Sequence, residues 1–357
     1  MRRLPGRAAV AWWLLAQVCG LSPPKRIHVV VNPSGGSGAG LAVLAEVLPT
    51  FEAAGVDVSV LRTEYAGHAE VLASTVDLRD ALVGIGGDGT VHELVNGMLR
   101  RSDGRTCAVG VIPSGTGNTW ALDLGIPLGQ PARAAEAVVG GATRRVDVMR
   151  VDASSEDRPR YSVNICACGF PAAVLEESDE LRWLGLGAQY DLAGLSLIAQ
   201  GRTRFRGVVE VDGGARTLDL PDYSFVQAQI NARMGKRVPF APDAEVDDGL
   251  LDLVLVKSSS GFDIILANFL ARFGEHERLP CVEILQCADF AYRPSRAPPA
   301  ALGSLDRVVA DAKGEDASAA DLNLDGELVP GGAAAFRAAC LPGALEVLVP
   351  AAPPPPP

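Results

Sequence analysis

The chain has 357 residues, 48% of them apolar, which is enough to bury more than one hydrophobic core and excludes an intrinsically disordered polymer. Its 32 basic residues against 43 acidic ones leave a net charge of −11, so binding of nucleic acid through its phosphate backbone is excluded as a partner class. Seven cysteines, at positions 19, 107, 166, 168, 281, 287 and 340, form no CxxC pair and leave an odd one over, which favours buried free thiols in a reducing compartment. In chain order, Arg2, Arg3 and Arg7 precede an apolar run over residues 8–21 that holds Trp12, Trp13, Leu14 and Leu15. That run is shorter than the roughly 20 residues needed to span a bilayer. Residues 1–24 therefore read as a signal, a transit segment or an interfacial anchor, the last burying Trp and Leu with arginines near anionic headgroups.

From residue 25 the pattern alternates regularly. Residues 27–31 form a strand, Asn32-Pro33-Ser34-Gly35-Gly36-Ser37-Gly38 a loop, and residues 41–54 a helix with Leu41, Leu44, Val47 and Leu48 at helical spacing. A strand at 56–62, a helix at 67–75 and a strand at 81–85 follow, then the turn Gly86-Gly87-Asp88-Gly89-Thr90 and a helix over 91–101. A strand at 108–112 leads to Pro113-Ser114-Gly115-Thr116-Gly117-Asn118 and a helix that starts at Thr119. Short apolar strands separated by helices predict an open, mostly parallel α/β domain over residues 25–142, with its ligand at the carboxyl ends of the strands.

Beyond residue 140 the period changes to two, with β-branched runs at 144–152, 161–168, 208–211, 223–231 and 250–256. These predict an antiparallel, β-rich, sandwich-like domain over 143–350, interrupted by helices at 181–200 and 262–273 and with room for terminal strands to return to the first domain. Residues 294–320, rich in Ala, Pro, Asp and Ser, read as a mobile insertion, and 351–357 as a disordered proline tail.

Chemistry concentrates in the glycine turns at the strand ends. Glycine lets backbone approach a ligand closely, and the first N–H groups of a following helix favour an anion. Asp88 stands alone in the middle of such a turn, where a carboxylate would repel phosphate unless it binds Mg²⁺ or acts as a general base. One glycine loop is usually only a turn, whereas three at successive strand ends point to phosphate. Four scattered histidines, at 28, 68, 92 and 276, make no zinc site, and His92 reads as a packing residue. Asp247 and Asp248 serve equally well as a turn before Leu250 or as metal ligands, and Trp183, Leu184 and Leu186 as core or as cover for a lipid. Ser114 stands outside a G-x-S-x-G elbow, and neither a GxxxxGK[ST] loop nor an HRD or DFG set occurs.

Together GGDGTVHELVNGM, NPSGGSG and IPSGTGN resemble the diacylglycerol kinase catalytic-domain family, which includes sphingosine, ceramide and bacterial lipid kinases. The resemblance continues through Asn231, Ala241-Pro242-Asp243-Ala244, Asp247-Asp248-Gly249-Leu250-Leu251-Asp252, Gly274-Glu275-His276 and Leu324-Asp325-Gly326-Glu327, over nearly the whole chain. It implies two domains, an open, mostly parallel α/β nucleotide-binding domain and a β-sandwich-like domain, with ATP in the cleft, a requirement for Mg²⁺ and a lipid substrate met at a membrane surface. By motif, Asn32, Pro33, Ser34 and Gly36 would border the nucleotide and Thr63 would touch it. Gly86, Gly87, Asp88, Gly89 and Thr90 would line the phosphates with Glu93 one helical turn on, and Ser114, Gly115, Thr116 and Gly117 would add a second set of N–H groups. Asp88 would be the catalytic aspartate or organise Mg²⁺, with Glu327 the alternative base beside Asp325 and Gly326, Arg182 a phosphate contact and Asp248 a metal-associated aspartate.

Three positions depart from the family pattern. Ala173 stands where sphingosine kinases carry an aspartate for the sphingoid head group, Gln189 where a second arginine is expected, and Ser37 where many relatives have lysine. The expected activity is therefore transfer of the γ-phosphoryl group to a diacylglycerol-like lipid, with a sphingoid-base or ceramide kinase as the alternative. A catalytically weak kinase-like module that binds lipid or nucleotide is the reading of another class, while NAD kinases and phosphofructokinases share GGDGT but lack the VVNPSGG and DDGLLD context. A site that consumes ATP places the chain in the cytoplasm with peripheral membrane contact, unless residues 1–24 direct it to an organelle or the secretory route.

Overall fold

The computed structural model describes residues 23–180, 189–235, 238–258, 260–294, 322–329 and 335–351. The chain divides into two compact units, one of Met1–Val148, Gly235–Arg237 and Pro342–Pro357, the other of Met149–Met234 and Val238–Leu341. The dividing points fall inside two strands, Thr143–Ala153 and Phe336–Leu348, so each strand contributes to both units.

The first unit is an α/β layer structure. Strands β1 (Arg26–Val31), β2 (Asp57–Arg62), β3 (Ala81–Gly86) and β4 (Ala108–Pro113) lie parallel in the order β2-β1-β3-β4, and the last part of Phe336–Leu348 joins beside β4 through Val347 and Val109. Near-continuous Val, Ile and Leu suits β1, β3 and β4 to burial on both faces, and Val29, Val30, Val83, Ile85 and Ile112 are fully inaccessible. The helices between them are α1 (Gly35–Gly38), α2 (Gly40–Ala53), α3 (His68–Thr75), α4 (Asp88–Leu99), α5 (Thr119–Asp123) and α6 (Pro131–Gly140). Residues 35–38, expected as loop, close into a single helical turn. The buried face of α2 is Leu44, Val47 and Phe51, whereas Leu41, expected on that face, is exposed. In this strand order the crossover direction reverses between β1 and β3, which places a ligand crevice at their carboxyl ends.

The second unit is an antiparallel sandwich. Beyond β5 (Thr143–Ala153), the strands are β6 (Arg160–Ser162), β7 (Ile165–Gly169), β8 (Phe205–Val211), β9 (Arg216–Tyr223), β10 (Phe225–Gln229), β11 (Leu251–Val256), β12 (Val282–Cys287), β13 (Asp289–Pro294), β14 (Leu322–Leu324), β15 (Glu327–Val329) and β16 (Phe336–Leu348). One sheet runs β12-β11-β10-β7-β14-β15, and β16, β13, β8 and β9 form antiparallel neighbours of the other. Side chains of both share one core, with Val209, Phe290 and Phe336 beside Val226, Leu253 and Val254. The unit also holds helices α7 (Phe170–Glu180), α8 (Gln189–Ala199) and α9 (Gly261–Ala271). The run expected as one strand at 161–168 is broken after Ser162, and the expected strand at 223–231 starts only at Phe225, because Tyr223 still pairs with Phe205 in β9. Within 181–200 the described helix is α8; residues 181–188, most of the 294–320 insertion, the apolar run at 8–21 and the tail from 352 lie outside the described residues. No described helix is long and apolar enough to cross a membrane.

Candidate functional site

Four loops leave the carboxyl ends of the parallel strands, and backbone hydrogen bonds extend the sheet into them. Thr63 N donates to the Val31 carbonyl at 3.0 Å, Asn32 N to Ile85 at 3.1 Å and Ser114 N to Gly86 at 2.9 Å. These bonds hold Asn32, Thr63, Gly87 and Ser114 along one edge, so the first unit brings together the nucleotide-loop residues expected from sequence.

The two central turns meet backbone to backbone. A Cβ on Gly115 would fall 2.5 Å from Gly87 Cα and one on Gly117 2.7 Å from Asp88 Oδ2, so neither glycine accepts a side chain without movement. Asp88 opens α4, and its Oδ2 accepts from Thr119 N at 3.2 Å, tying the carboxylate to the start of α5. The first N–H groups of a helix lack intrahelical acceptors, so the start of α4, at Asp88, Gly89 and Thr90, presents donors beside this carboxylate. Thr90 packs under Gly86, where a Cβ would collide with its side chain. The Ser114 hydroxyl is buried with no hydrogen-bond partner, a donor that a phosphate oxygen would satisfy. Ser114, Gly115, Thr116 and Gly117 are otherwise open enough to be reached, with Thr116 exposed.

Sequence reasoning did not single out Asn118, which locks this turn. It adopts the left-handed region at φ 53°, its Oδ1 accepts from Gly115 N at 3.0 Å and its Nδ2 donates to the Gly115 carbonyl at 2.6 Å. An Asn after a Gly-x-Gly run is the available signal, since Asn tolerates positive φ and bonds its own turn. In the first loop, Asn32 Oδ1 accepts from Ser34 N at 3.0 Å and the Asn32 carbonyl from Gly35 N at 3.1 Å, which winds Pro33, Ser34 and the backbone through Gly36 into α1.

Glu93 has a defined structural job. Its two carboxylate oxygens accept from Gly67 N and Ala69 N, both at 2.9 Å, and so cap the start of α3. In the loop after Thr63, the rings of Tyr65 and His68 stack at 4.5 Å, and His68 Nδ1 accepts from Glu64 N at 3.0 Å. His92 is buried on α4 against Asn96.

The acidic elements of the second unit are described separately. Asp325, at φ 53°, accepts from Ser162 Oγ at 2.6 Å and from the backbone N–H groups of Val163, Asn164 and Ile165 at 2.9–3.0 Å. It thereby closes the β6–β7 corner, while Gly326 and Glu327 next to it are exposed. Asp248 Oδ1 accepts from Leu250 N at 2.9 Å, the geometry of an Asx turn. The neighbouring Asp252 is buried, and desolvation, assisted by the charges of Asp248 and Asp243 and opposed by a hydrogen bond from Gln286, pushes its carboxyl up to about 6. Ala173 is buried in the apolar core and Gln189 is the first residue of α8. Arg182 lies outside the described residues. Among the described residues no group of three or more His, Cys, Asp or Glu converges as a metal site. Mg²⁺ is ordinarily held by one or two carboxylates plus substrate phosphates, so Asp88 with a bound nucleotide is a donor set that fits it.

Comparison with known proteins agrees with this arrangement. Residues 26–151 match the model for the diacylglycerol kinase catalytic domain, and residues 164–349 that for the YegS C-terminal NAD kinase beta sandwich-like domain. The chain is 31% identical over 255 residues to a diacylglycerol kinase of Bacillus subtilis, covering 71% of this chain and 80% of that one. It is 30% identical over 319 residues to sphingosine kinase 1 of Arabidopsis thaliana, covering 77% of this chain but only 65% of the length of that relative. A crystal structure of a diacylglycerol kinase from Bacillus anthracis superposes with a TM-score of 0.63 at 18% identity, over 92% of this chain and 98% of that one, which establishes the shared fold. With both halves matched and the glycine turns joined at the sheet edge, the chain belongs to the diacylglycerol kinase catalytic-domain family of lipid kinases.

Proposed function

We propose that the protein transfers the γ-phosphoryl group of ATP, in the presence of Mg²⁺, to the hydroxyl of a diacylglycerol-like lipid at a membrane surface. The observation that carries this reading is the contact of the Gly87 and Gly115 turns around Asp88, with the unpartnered Ser114 hydroxyl beside them. Phosphoryl transfer asks a protein to position phosphates and orient an acceptor, and backbone N–H groups with a single carboxylate are suited to both. The turns at Asn32–Ser34 and Ser114–Gly117 and the start of α4 bind and align the phosphates. Asp88, held by Thr119 N, accepts the proton of the attacking hydroxyl as its oxygen bonds to the γ-phosphorus and the bond to the bridging oxygen breaks, leaving ADP. Bound Mg²⁺ supplies neutralisation of charge on the β- and γ-phosphoryl oxygens. Ala173 supports a neutral acceptor, because this position, buried in the apolar core, carries no carboxylate to pair with a sphingoid amine.

A panel of diacylglycerol, sphingosine and ceramide with radiolabelled ATP tests the reading, and diacylglycerol is expected to be labelled. Preferential labelling of sphingosine would overturn the acceptor, and ATP binding without any labelled lipid would favour the kinase-like module. Asp88→Asn is expected to lower kcat by about 10²–10⁴ with the melting temperature little changed. Glu327→Gln as the variant that abolishes turnover instead would move the base to Glu327.

A further inference from the structure

The first unit carries a pair of rings that the phosphate turns do not use. Tyr65 and His68 follow the carboxyl end of β2, on the sheet edge that also holds Asn32, Gly87 and Ser114. Their rings lie 4.5 Å apart and 5° from parallel. Backbone bonds fix the stack: His68 N donates to the Tyr65 carbonyl at 3.2 Å, and His68 Nδ1 accepts from Glu64 N at 3.0 Å. Tyr65 is nonetheless 58% exposed, so its ring rests on His68 on one side and is open to solvent elsewhere. Among the described residues of the first unit the remaining rings, His28, Phe51, His92 and Trp120, are all buried. An exposed tyrosine is ordinary by itself, whereas one backed by a second ring and held by two hydrogen bonds is a flat platform ordered before any ligand arrives.

The platform stands where the far end of a nucleotide would fall. In the order β2-β1-β3-β4, β2 is two strands from β3, so the Tyr65 loop lies roughly 10 Å along the sheet edge from the turn that holds Asp88, with the Asn32 loop between them. A nucleoside triphosphate with its phosphates on the Gly87 and Ser114 turns and its ribose over the Asn32 loop brings its base to the end of β2. The spacing is fixed as well as suitable. Glu93, five residues beyond Asp88 on α4, accepts from Gly67 N and Ala69 N at 2.9 Å, so the helix that begins at the phosphate turn also fastens the start of α3, where His68 stands. In the opposite direction β4 leads into Ser114–Asn118 and then to Trp120, which is fully buried. A base directed that way meets no open ring among the described residues of this unit.

We propose that Tyr65, backed by His68, recognises the purine base of the phosphoryl donor by stacking. The proposal rests on the nucleotide site of the lipid-kinase reading, and its test needs no lipid, so the two fail separately. The full chain is titrated calorimetrically with ATP and with inorganic tripolyphosphate, both in the presence of Mg²⁺. Loss of one base–aromatic stack raises the ATP dissociation constant of Tyr65→Ala by about tenfold to a hundredfold, with the melting temperature unchanged. Tyr65→Phe keeps the ring and is expected to bind ATP as the parent does. Tripolyphosphate carries phosphates without a base, so its affinity is expected to be equal in Tyr65→Ala and the parent. An ATP affinity unchanged in Tyr65→Ala would overturn the proposal. An equal loss of tripolyphosphate in that variant would overturn it too, since the ring would then only prop the loop. So would a parent that binds ATP no more tightly than tripolyphosphate, because the base would add nothing. A parent that shows the expected pattern but labels no lipid from radiolabelled ATP sinks the kinase reading and leaves the base platform standing.

Discussion

At the scale of single residues, the site depends on atoms that are missing as much as on those present. Gly115 and Gly87 touch through backbone because neither has a Cβ, and a methyl at 115 would sit 2.5 Å from Gly87 Cα with only main chain to displace. Gly115→Ala is therefore expected to cost about 1–3 kcal/mol of stability and to weaken ATP binding at least about tenfold, read by thermal denaturation and by nucleotide titration. Asp252 gives a pH signature of its own. Its carboxyl lies at about 6 in the fold against an ordinary 3.8, so between those values the folded chain holds more protons than the unfolded one. Stability accordingly falls as pH rises from about 3.8 to about 6, by at most about 3 kcal/mol. Asp252→Asn should remove that slope and raise stability at neutral pH; a chemical-denaturation series from pH 4 to pH 7 with the slope intact in the variant would contradict this.

At the scale of elements, α3 and α4 are fastened as a pair. Glu93 caps α3 from α4, Arg100 reaches Glu70 at 2.7 Å, and a Cβ on Gly97 would run into the Glu70 carbonyl, so a glycine is what lets the two helices approach. Glu93→Ala leaves Gly67 N and Ala69 N without their acceptor and is expected to cost about 1–2 kcal/mol in thermal unfolding. If Glu93 also contacts nucleotide, the ATP dissociation constant will rise beyond what the stability loss explains. The alternation of apolar strands with glycine turns made these elements legible in the sequence, as did the period-two runs at β10 and β11. Strands β9 and β12 were not singled out, because their burial alternates irregularly, and the partners of the later strands were not legible because their pairing is distant in sequence, as between Asn323 and Ala167.

At the scale of the whole molecule, the diacylglycerol kinase catalytic-domain match over residues 26–151 and the YegS C-terminal match over 164–349 together cover most of the chain. The sequence alone determined the fold class and the family, because glycine turns at the ends of buried strands are local patterns that survive without knowledge of packing. It also pointed to Asp88 as the carboxylate at the centre of the phosphate turns. Only the tertiary structure decided what each polar residue touches. Asp325 closes a corner 160 residues away in sequence at Ile165, Glu93 caps a helix, Asn118 locks the Gly115 turn, and α9 shows a row of phenylalanines to solvent. Hydrogen-bond partners and exposure are set by neighbours far apart in the chain, so periodicity, which reads apolar spacing as core, could not tell the outward face of α9 from its inward one.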